Sequence, residues 1–204
     1  MTRYLSIRLA LSLSCLILAS CATIKQQTTS EPAAWAAEQQ KRRLIEIWEI
    51  RGRLGVQTSA TGGSMDIIWK QSEEEFSIRL IAPLAAGSYL IQGNKDAVEI
   101  RYPDGKKAII NNIDDAFAST LDVDLPLTAI RDWIRGLPAH ALPVESISWN
   151  EQGLLYKAKQ SGWNVEMSKY TGAKLLLPHA IYLSRDDNAD LDIRLLLRQW
   201  LLDN

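Results

Sequence analysis

The chain has 204 residues, with 23 basic and 24 acidic side chains and a formal net charge of −1. That balance argues against any broad electrostatic attraction of the whole molecule to nucleic acid or to anionic lipid. The length suits one domain with a sizeable core, and two cysteines, Cys15 and Cys21, are too few for a disulfide framework.

Arg3 and Arg8 precede an apolar run over residues 9–18 that is broken only by Ser12, Ser14 and Cys15, and Leu18-Ala19-Ser20-Cys21 closes it with small residues before a cysteine. This is the layout of a secretory signal, and its end resembles a bacterial lipobox. The resemblance implies cleavage before Cys21, a diacylglyceryl group on its thiol and a further acyl chain on the new amino terminus. An ordinary signal with a chance cysteine, or a short membrane anchor, is the alternative; the run falls short of the ~20 residues that span a bilayer. Ala22 stands where an inner-membrane retention aspartate would be, which by the same resemblance places the protein at the periplasmic face of the outer membrane. Loss of residues 1–20 removes both arginines, so the net charge falls from −1 to −3. No free thiol remains, and the fold must hold by packing.

Residues 21–30 are expected to form the lipidated terminus and a polar, short tether, and residues 31–204 a single domain. Ser30-Glu31-Pro32 reads as a helix start, with Ser30 as N-cap and Ala37, Leu44, Ile47 and Trp48 recurring on one face. Strict alternation from Trp48 to Val56 predicts a strand with one dry face. It repeats in Met65, Ile67 and Trp69, in Phe76, Ile78, Leu80 and Ala82, and in Val98, Ile100 and Tyr102, separated by Thr61-Gly62-Gly63, Gly93-Asn94-Lys95-Asp96 and Pro103-Asp104-Gly105-Lys106. About six strands are predicted before residue 111.

The period then changes. Asn112 can cap a helix carrying Ile113, Phe117 and Leu121, and Pro126 opens a second one with Leu127, Ile130, Trp133, Ile134 and Leu137 on one stripe, stopped by Gly136-Leu137-Pro138. Strands are predicted again over residues 146–149, 154–159, 163–169, 180–185 and 191–200. The fold expected is mainly β, of the α+β kind: a strongly curved, incompletely closed antiparallel barrel of about eleven strands, with the inserted helices covering its apolar side.

This order of lipobox, helix, six strands, two helices and about five strands resembles the LolB family of outer-membrane lipoprotein receptors. Two stretches carry the resemblance: Ala82-Pro83-Leu84-Ala85-Ala86-Gly87-Ser88 is similar to the family's protruding Pro-Leu-Gly loop, and Ile130-Arg131-Asp132-Trp133-Ile134-Arg135-Gly136-Leu137-Pro138 to its Leu-Arg-x-Trp-Ile-x-Gly-Leu-Pro helix. Ala85 stands where the family glycine is expected. The resemblance implies a receptor that accepts acylated lipoproteins from a periplasmic carrier into an apolar cavity and inserts them into the outer membrane without nucleotide hydrolysis, working as a monomer. Its cavity would be lined by Ile50, Leu54, Met65, Ile67, Trp69, Ile78, Leu80, Trp133 and Ile134; periodicity alone fits a filled core equally. Pro83 and Leu84 would form a membrane-insertion loop, unless Leu84 folds back onto the core.

No catalytic residues, metal ligands, nucleic-acid partner or soluble cofactor are expected; the only bound groups implied are the lipids on Cys21. His140 and His179 have no neighbours at ligand spacing, and no Gly-x-Ser-x-Gly elbow or phosphate loop occurs. Asp186, Asp187, Asn188 and Asp190 read as a solvated hairpin, with a calcium loop as the lesser alternative, and Arg51, Arg53, Arg131 and Arg135 as solvated cations. Two other readings stay open: an envelope assembly or scaffold lipoprotein that docks a protein partner, and a lipid hydrolase whose site the sequence hides.

Overall fold

A computed structural model describes residues 28–60 and 62–203. The leader, Cys21 and most of the tether fall outside the described residues. Eleven strands form one antiparallel sheet in the order β6-β5-β4-β3-β2-β1-β11-β10-β9-β8-β7, and β6 and β7 do not pair, so the barrel stays open. In chain order the first half is β1 (Ile47–Gln57), β2 (Gly62–Ser72), β3 (Glu75–Ile81), β4 (Ser88–Gly93), β5 (Val98–Arg101) and β6 (Lys107–Ile110); the second half is β7 (Val144–Trp149), β8 (Leu155–Gln160), β9 (Trp163–Ser168), β10 (Ala180–Arg185) and β11 (Asn188–Leu202). Helices α1 (Trp35–Arg43), α2 (Ala116–Leu121) and α3 (Leu127–Ile134) complete the fold.

The predicted strands are all present because each has one solvated face, which leaves a period of two in the sequence. β11, with 15 residues the longest strand, pairs with β1 at the centre of the sheet. At Gly52 a Cβ would sit 2.3 Å from the Leu196 carbonyl oxygen, so the close approach of β1 and β11 requires glycine. A register shift opposite Arg51 and Gly52 leaves Arg198 unpaired in the ladder and aims it across β1 to Asp66 (2.9 Å).

Asn112 caps the mid-chain helical segment as expected, its side chain accepting from the Asp114 amide, and Asp114 in turn accepts from the Thr128 amide and hydroxyl (both 2.8 Å), tying the start of α3 to the start of α2. The stripe of α3 is buried as predicted, and Gly136 ends the helix at φ +75°. Trp133 packs against Trp163 with ring centroids 6.0 Å apart, and its Nε1 donates to Gln160 Oε1 (3.0 Å). Gln160 is fully buried and uses its whole amide: Oε1 also accepts from the Ala139 amide, and Nε2 donates to the carbonyls of Ala139 and Leu142, each at 2.9 Å.

Two expectations are corrected. The first helix begins at Trp35, not after a Ser30 cap; Ala34 is its N-cap, without a side-chain bond, and Ala37 and Leu44 are exposed. Its buried residues are Trp35, edge-on to Trp149 (6.1 Å), and Arg42, which donates to Glu38 Oε2 and to the Leu176 carbonyl (both 2.7 Å). The face is chosen by the surface the helix meets, and Ile47 and Trp48 already belong to β1. Arg135, expected to be solvated, is buried: it donates to Asp132 Oδ1 (2.6 Å) and to the Ile45 carbonyl (3.0 Å). Burial pulls its guanidinium below the usual range, and Asp132 opposes that shift.

Gln160→Ala removes the partners of an indole N–H, an amide N–H and two carbonyls at once, so it should cost about 2–4 kcal/mol, read from the urea midpoint. Glu38, whose pKa is lowered by its bonds to Lys41 and Arg42, should add stability that is full above the ordinary glutamate value and lost as pH falls through its depressed folded value. Urea titrations across that range should therefore show a gap between the protein and Glu38→Gln that closes in acid.

Candidate functional site

The dry face of the sheet and the inner sides of α2 and α3 make one apolar cluster. Eight of the nine residues expected to line a cavity lie in it at 0–4% exposure; the ninth, Met65, is half-buried and packs against them. Register explains the grouping. Leu54 faces Met65, Ile50 faces Trp69, Trp69 faces Ile78, and Ile67 faces Leu80, all with side chains on the same side of the sheet. Trp133 and Ile134 approach from α3. At such exposures these eight residues are closed to water.

Half-buried apolar residues fringe this cluster, Ile45, Tyr170 and Trp200 at one end of the sheet and a second group at the other. Val56 ends β1, Met65 and Tyr89 lie near the starts of β2 and β4, and Tyr102 follows β5; all four are half-buried and packed on the core, with Leu121 of α2 beside them in the same cluster. Tyr89 and Tyr102 meet edge to face at 6.0 Å, and the Tyr102 hydroxyl donates to the Ser119 carbonyl of α2 (3.3 Å). This end has apolar side chains at its rim, and α2 meets the sheet through that hydrogen bond and the buried Ala116 and Phe117.

The same end carries the connection from β3 to β4. Pro83–Ala85 forms a single 3₁₀ turn closed by a bond from the Ala86 amide to the Pro83 carbonyl (3.2 Å), and the Ala82 amide donates to the Gly87 carbonyl (3.0 Å). Leu84 at its tip is 100% exposed. It is therefore not folded onto the core. Its backbone is left-handed, φ 56° and ψ 33°, a region that costs a residue with a Cβ roughly 1 kcal/mol or more. Gly87 takes φ +101° and lies against Pro103, whose Cβ would be 2.6 Å from an added Cβ. The positive φ angles of the turn thus fall on Leu84 and Gly87, on either side of Ala85 and Ala86.

The residues weighed for other chemistry are committed elsewhere. His140 lies 2.7 Å from Asp132 Oδ2, but that carboxylate is held by Arg135 and by the His140 amide, and among the described residues no serine hydroxyl bonds to His140. His179 Nδ1 lies 2.9 Å from the Leu197 carbonyl oxygen. Asp186 pairs with Lys159 and Asp187 with Arg185, each at 2.7 Å, and no cluster of three metal-ligating side chains forms among the described residues. Arg51 and Arg53 are on the outer face as expected, bonded to Glu49 and Ser64. The buried Arg42, Arg135 and Gln160 were not foreseen; the only sequence signal for them is a polar residue interrupting or flanking an apolar stripe.

A family described as "Outer membrane lipoprotein LolB" matches residues 46–200. The chain belongs to the LolB family. Among its relatives are the outer-membrane lipoprotein LolB of Nitrosococcus oceani, 31% identical over 193 residues that cover 93% of this chain and 94% of that one, and that of Halorhodospira halophila, 30% identical over 189 residues covering 92% and 91%. A LolA superfamily protein from Nitrosomonas europaea shares the fold with a TM-score of 0.56 at 8% identity, over 83% of this chain and 93% of its own. A putative outer membrane lipoprotein-sorting protein domain from Vibrio parahaemolyticus does so at 0.54 and 8%, over 83% and 91%. Membership in the LolB family makes the chain an outer-membrane lipoprotein and not an enzyme, which removes the hydrolase reading.

Because Leu84 touches nothing, Leu84→Glu should change stability by less than about 0.5 kcal/mol, whereas Leu80→Ala, four residues earlier and fully buried, should cost about 2–5 kcal/mol. Paired thermal melts measure both.

Proposed function

We propose that this LolB-family protein is the receptor that takes acylated lipoproteins from a periplasmic carrier and inserts them into the outer membrane, held there by the diacylglyceryl and N-acyl lipids of Cys21. The observation that carries the proposal is the pairing, at one end of the sheet, of a fully exposed Leu84 with the half-buried apolar rim of the core. Each buried methylene is worth ~0.8 kcal/mol, so acyl chains cannot cross water unshielded. Ile50, Leu54, Ile67, Trp69, Ile78, Leu80, Trp133 and Ile134 form the apolar interior that would shelter them, with Met65 at its entrance.

Since those side chains are packed together, uptake needs the rim to part. The movement is assigned to α2, which meets the sheet through the Tyr102–Ser119 bond and the apolar Ala116 and Phe117, while α3 is held by the polar bonds of Gln160, Asp132 and Arg135 and keeps the start of α2 in place through Asp114 and Thr128. A core that must be opened binds acyl chains less tightly than an empty pocket of the same lining would, because part of the binding energy goes into opening it. This suits a receptor that has to release what it accepts. Direction then follows from successive affinities, carrier to receptor to bilayer, with no nucleotide involved. Pro83 and Leu84 would enter the acyl boundary of the membrane and bring the open rim to it.

The test is a transfer assay with acylated cargo presented on its carrier to the anchored protein in vesicles. Met65→Glu should leave the fold intact and lower cargo capture by roughly tenfold or more, because a charge at the rim opposes entry of methylenes. Leu84→Glu should keep capture and lower insertion by a similar factor. Full capture by the Met65 variant would remove the interior as the acyl site, and normal insertion by the Leu84 variant would remove the loop's role.

A further inference from the structure

The outer face of the first half of the sheet has a charge pattern that the net charge of the chain conceals. One row runs straight across six strands: Arg51, Ile68, Arg79, Leu90, Arg101 and Lys107 are successive cross-strand partners. It holds four cations, two aliphatic side chains and no carboxylate. On one side the row Arg53, Asp66, Ile81, Ser88 leads to the Leu84 turn; on the other lies the row Glu49, Lys70, Ser77, Gln92, Glu99, Ile109. Together the three rows carry six cations and three carboxylates, a net of +3 on a chain that is −3 once residues 1–20 are gone.

The carboxylates sit at the margins. Glu49 serves Arg51 and Lys70, and Glu99 serves Arg101 and Lys107. Arg79, in the middle of the row, has no carboxylate partner among the described residues. Ile81 and Ile109 are exposed beside the cations, and Ile68 and Leu90 half-exposed between them. On the outer face of the second half Lys157 pairs with Glu166, Lys159 with Asp186 and Arg194 with Asp192, each cation with a carboxylate of its own, whereas in the first half Glu49 and Glu99 are each shared by two cations and Arg79 has none.

We propose that the outer face of β1 to β6 is a docking surface for anionic phospholipid headgroups, on which the half-barrel lies side-on while Leu84 enters the acyl layer. Guanidinium groups match phosphate geometry, and a cluster of basic residues is attracted to an anionic surface roughly fivefold per residue within a Debye length. Exposed aliphatic side chains among them suit the headgroup boundary rather than water or a purely ionic partner. The inference rests on the receptor reading for its membrane and adds the orientation.

The anchored protein is carried in vesicles of phosphatidylcholine alone or with about one third phosphatidylglycerol, with an environment-sensitive dye on Gln92→Cys, which lies on this face but a strand length away from Leu84. The label should brighten and shift to the blue only with the anionic lipid. The change should vanish in strong salt and fall at least about tenfold in Arg79→Glu/Arg101→Glu, while a dye on Lys157→Cys stays unchanged. No dependence on anionic lipid, or an equal response from the Lys157 label, would overturn the proposal. So would a normal Gln92 response in the double variant with impaired transfer from the carrier, which would assign the face to an acidic protein partner. Cargo capture is measured on the same samples: loss of capture with docking intact would fault the receptor reading and leave the surface standing.

Discussion

Everything in this fold depends on covering one apolar face of a sheet too curved and too wide to be covered by its own edges. Eleven strands place their dry side chains on the same side, and among the described residues the two short helices α2 and α3, with Trp35 of α1, close it. Neither helix is long enough to be stable alone. They exist because the sheet offers them a surface, and the sheet keeps its curvature because they fill it. The core is therefore assembled jointly, with tryptophans from β1, β2, β9 and α3 in contact at 5.3–6.0 Å.

Three buried polar side chains, Gln160, Arg135 and Arg42, fix position across the core, while the indole nitrogens of Trp48 and Trp149 and the Arg42 Nε are buried without a partner among the described residues. Gln160 fastens α3 and the chain after it to β8, and Arg135 reaches from the end of α3 to the Ile45 carbonyl just before β1. Arg42 reaches from α1 to the segment before β10. Leaving any of these unpaired in a dry interior would be costly, so each acts as a lock on the arrangement it satisfies. The locks gather around α3. Around α2 the contacts with the sheet are apolar and aromatic, and those can slide or part without stranding a buried charge. In the proposed receptor that difference separates a wall that stays from a cover that gives way.

The strand pattern was legible in the sequence because every strand has a wet side, and Asn112, Gly136 and the glycines of the hairpins marked where periods end. Even the exposed Leu84 was readable as an anomaly, a large apolar residue in a turn. What could not be read depends on partners far away in sequence. Arg135 reads as a surface residue until Asp132 and the Ile45 carbonyl, 90 residues earlier, are seen around it. The face of α1 is set by Trp149 and Leu176, which no local period reports. The row of Arg51, Arg79 and Arg101 is spread over 51 residues and becomes a row only through the register of four strand pairs.

Folding accounts for most of these positions, and the ones it does not account for are instructive. Alternation, caps, Gly52 and the buried amides all lower the free energy of the folded chain. Leu84 does the opposite on both counts: a left-handed backbone opposes its Cβ, and a fully hydrated side chain gains nothing from burial. Arg79, in the middle of a row whose other cations are paired with Glu49 and Glu99, likewise gains no ion pair among the described residues of the isolated molecule. Both features become favourable only when a surface that is apolar inside and anionic outside is brought against them. A bilayer leaflet is such a surface, and under the proposed docking it supplies the energy term that is missing from the free protein.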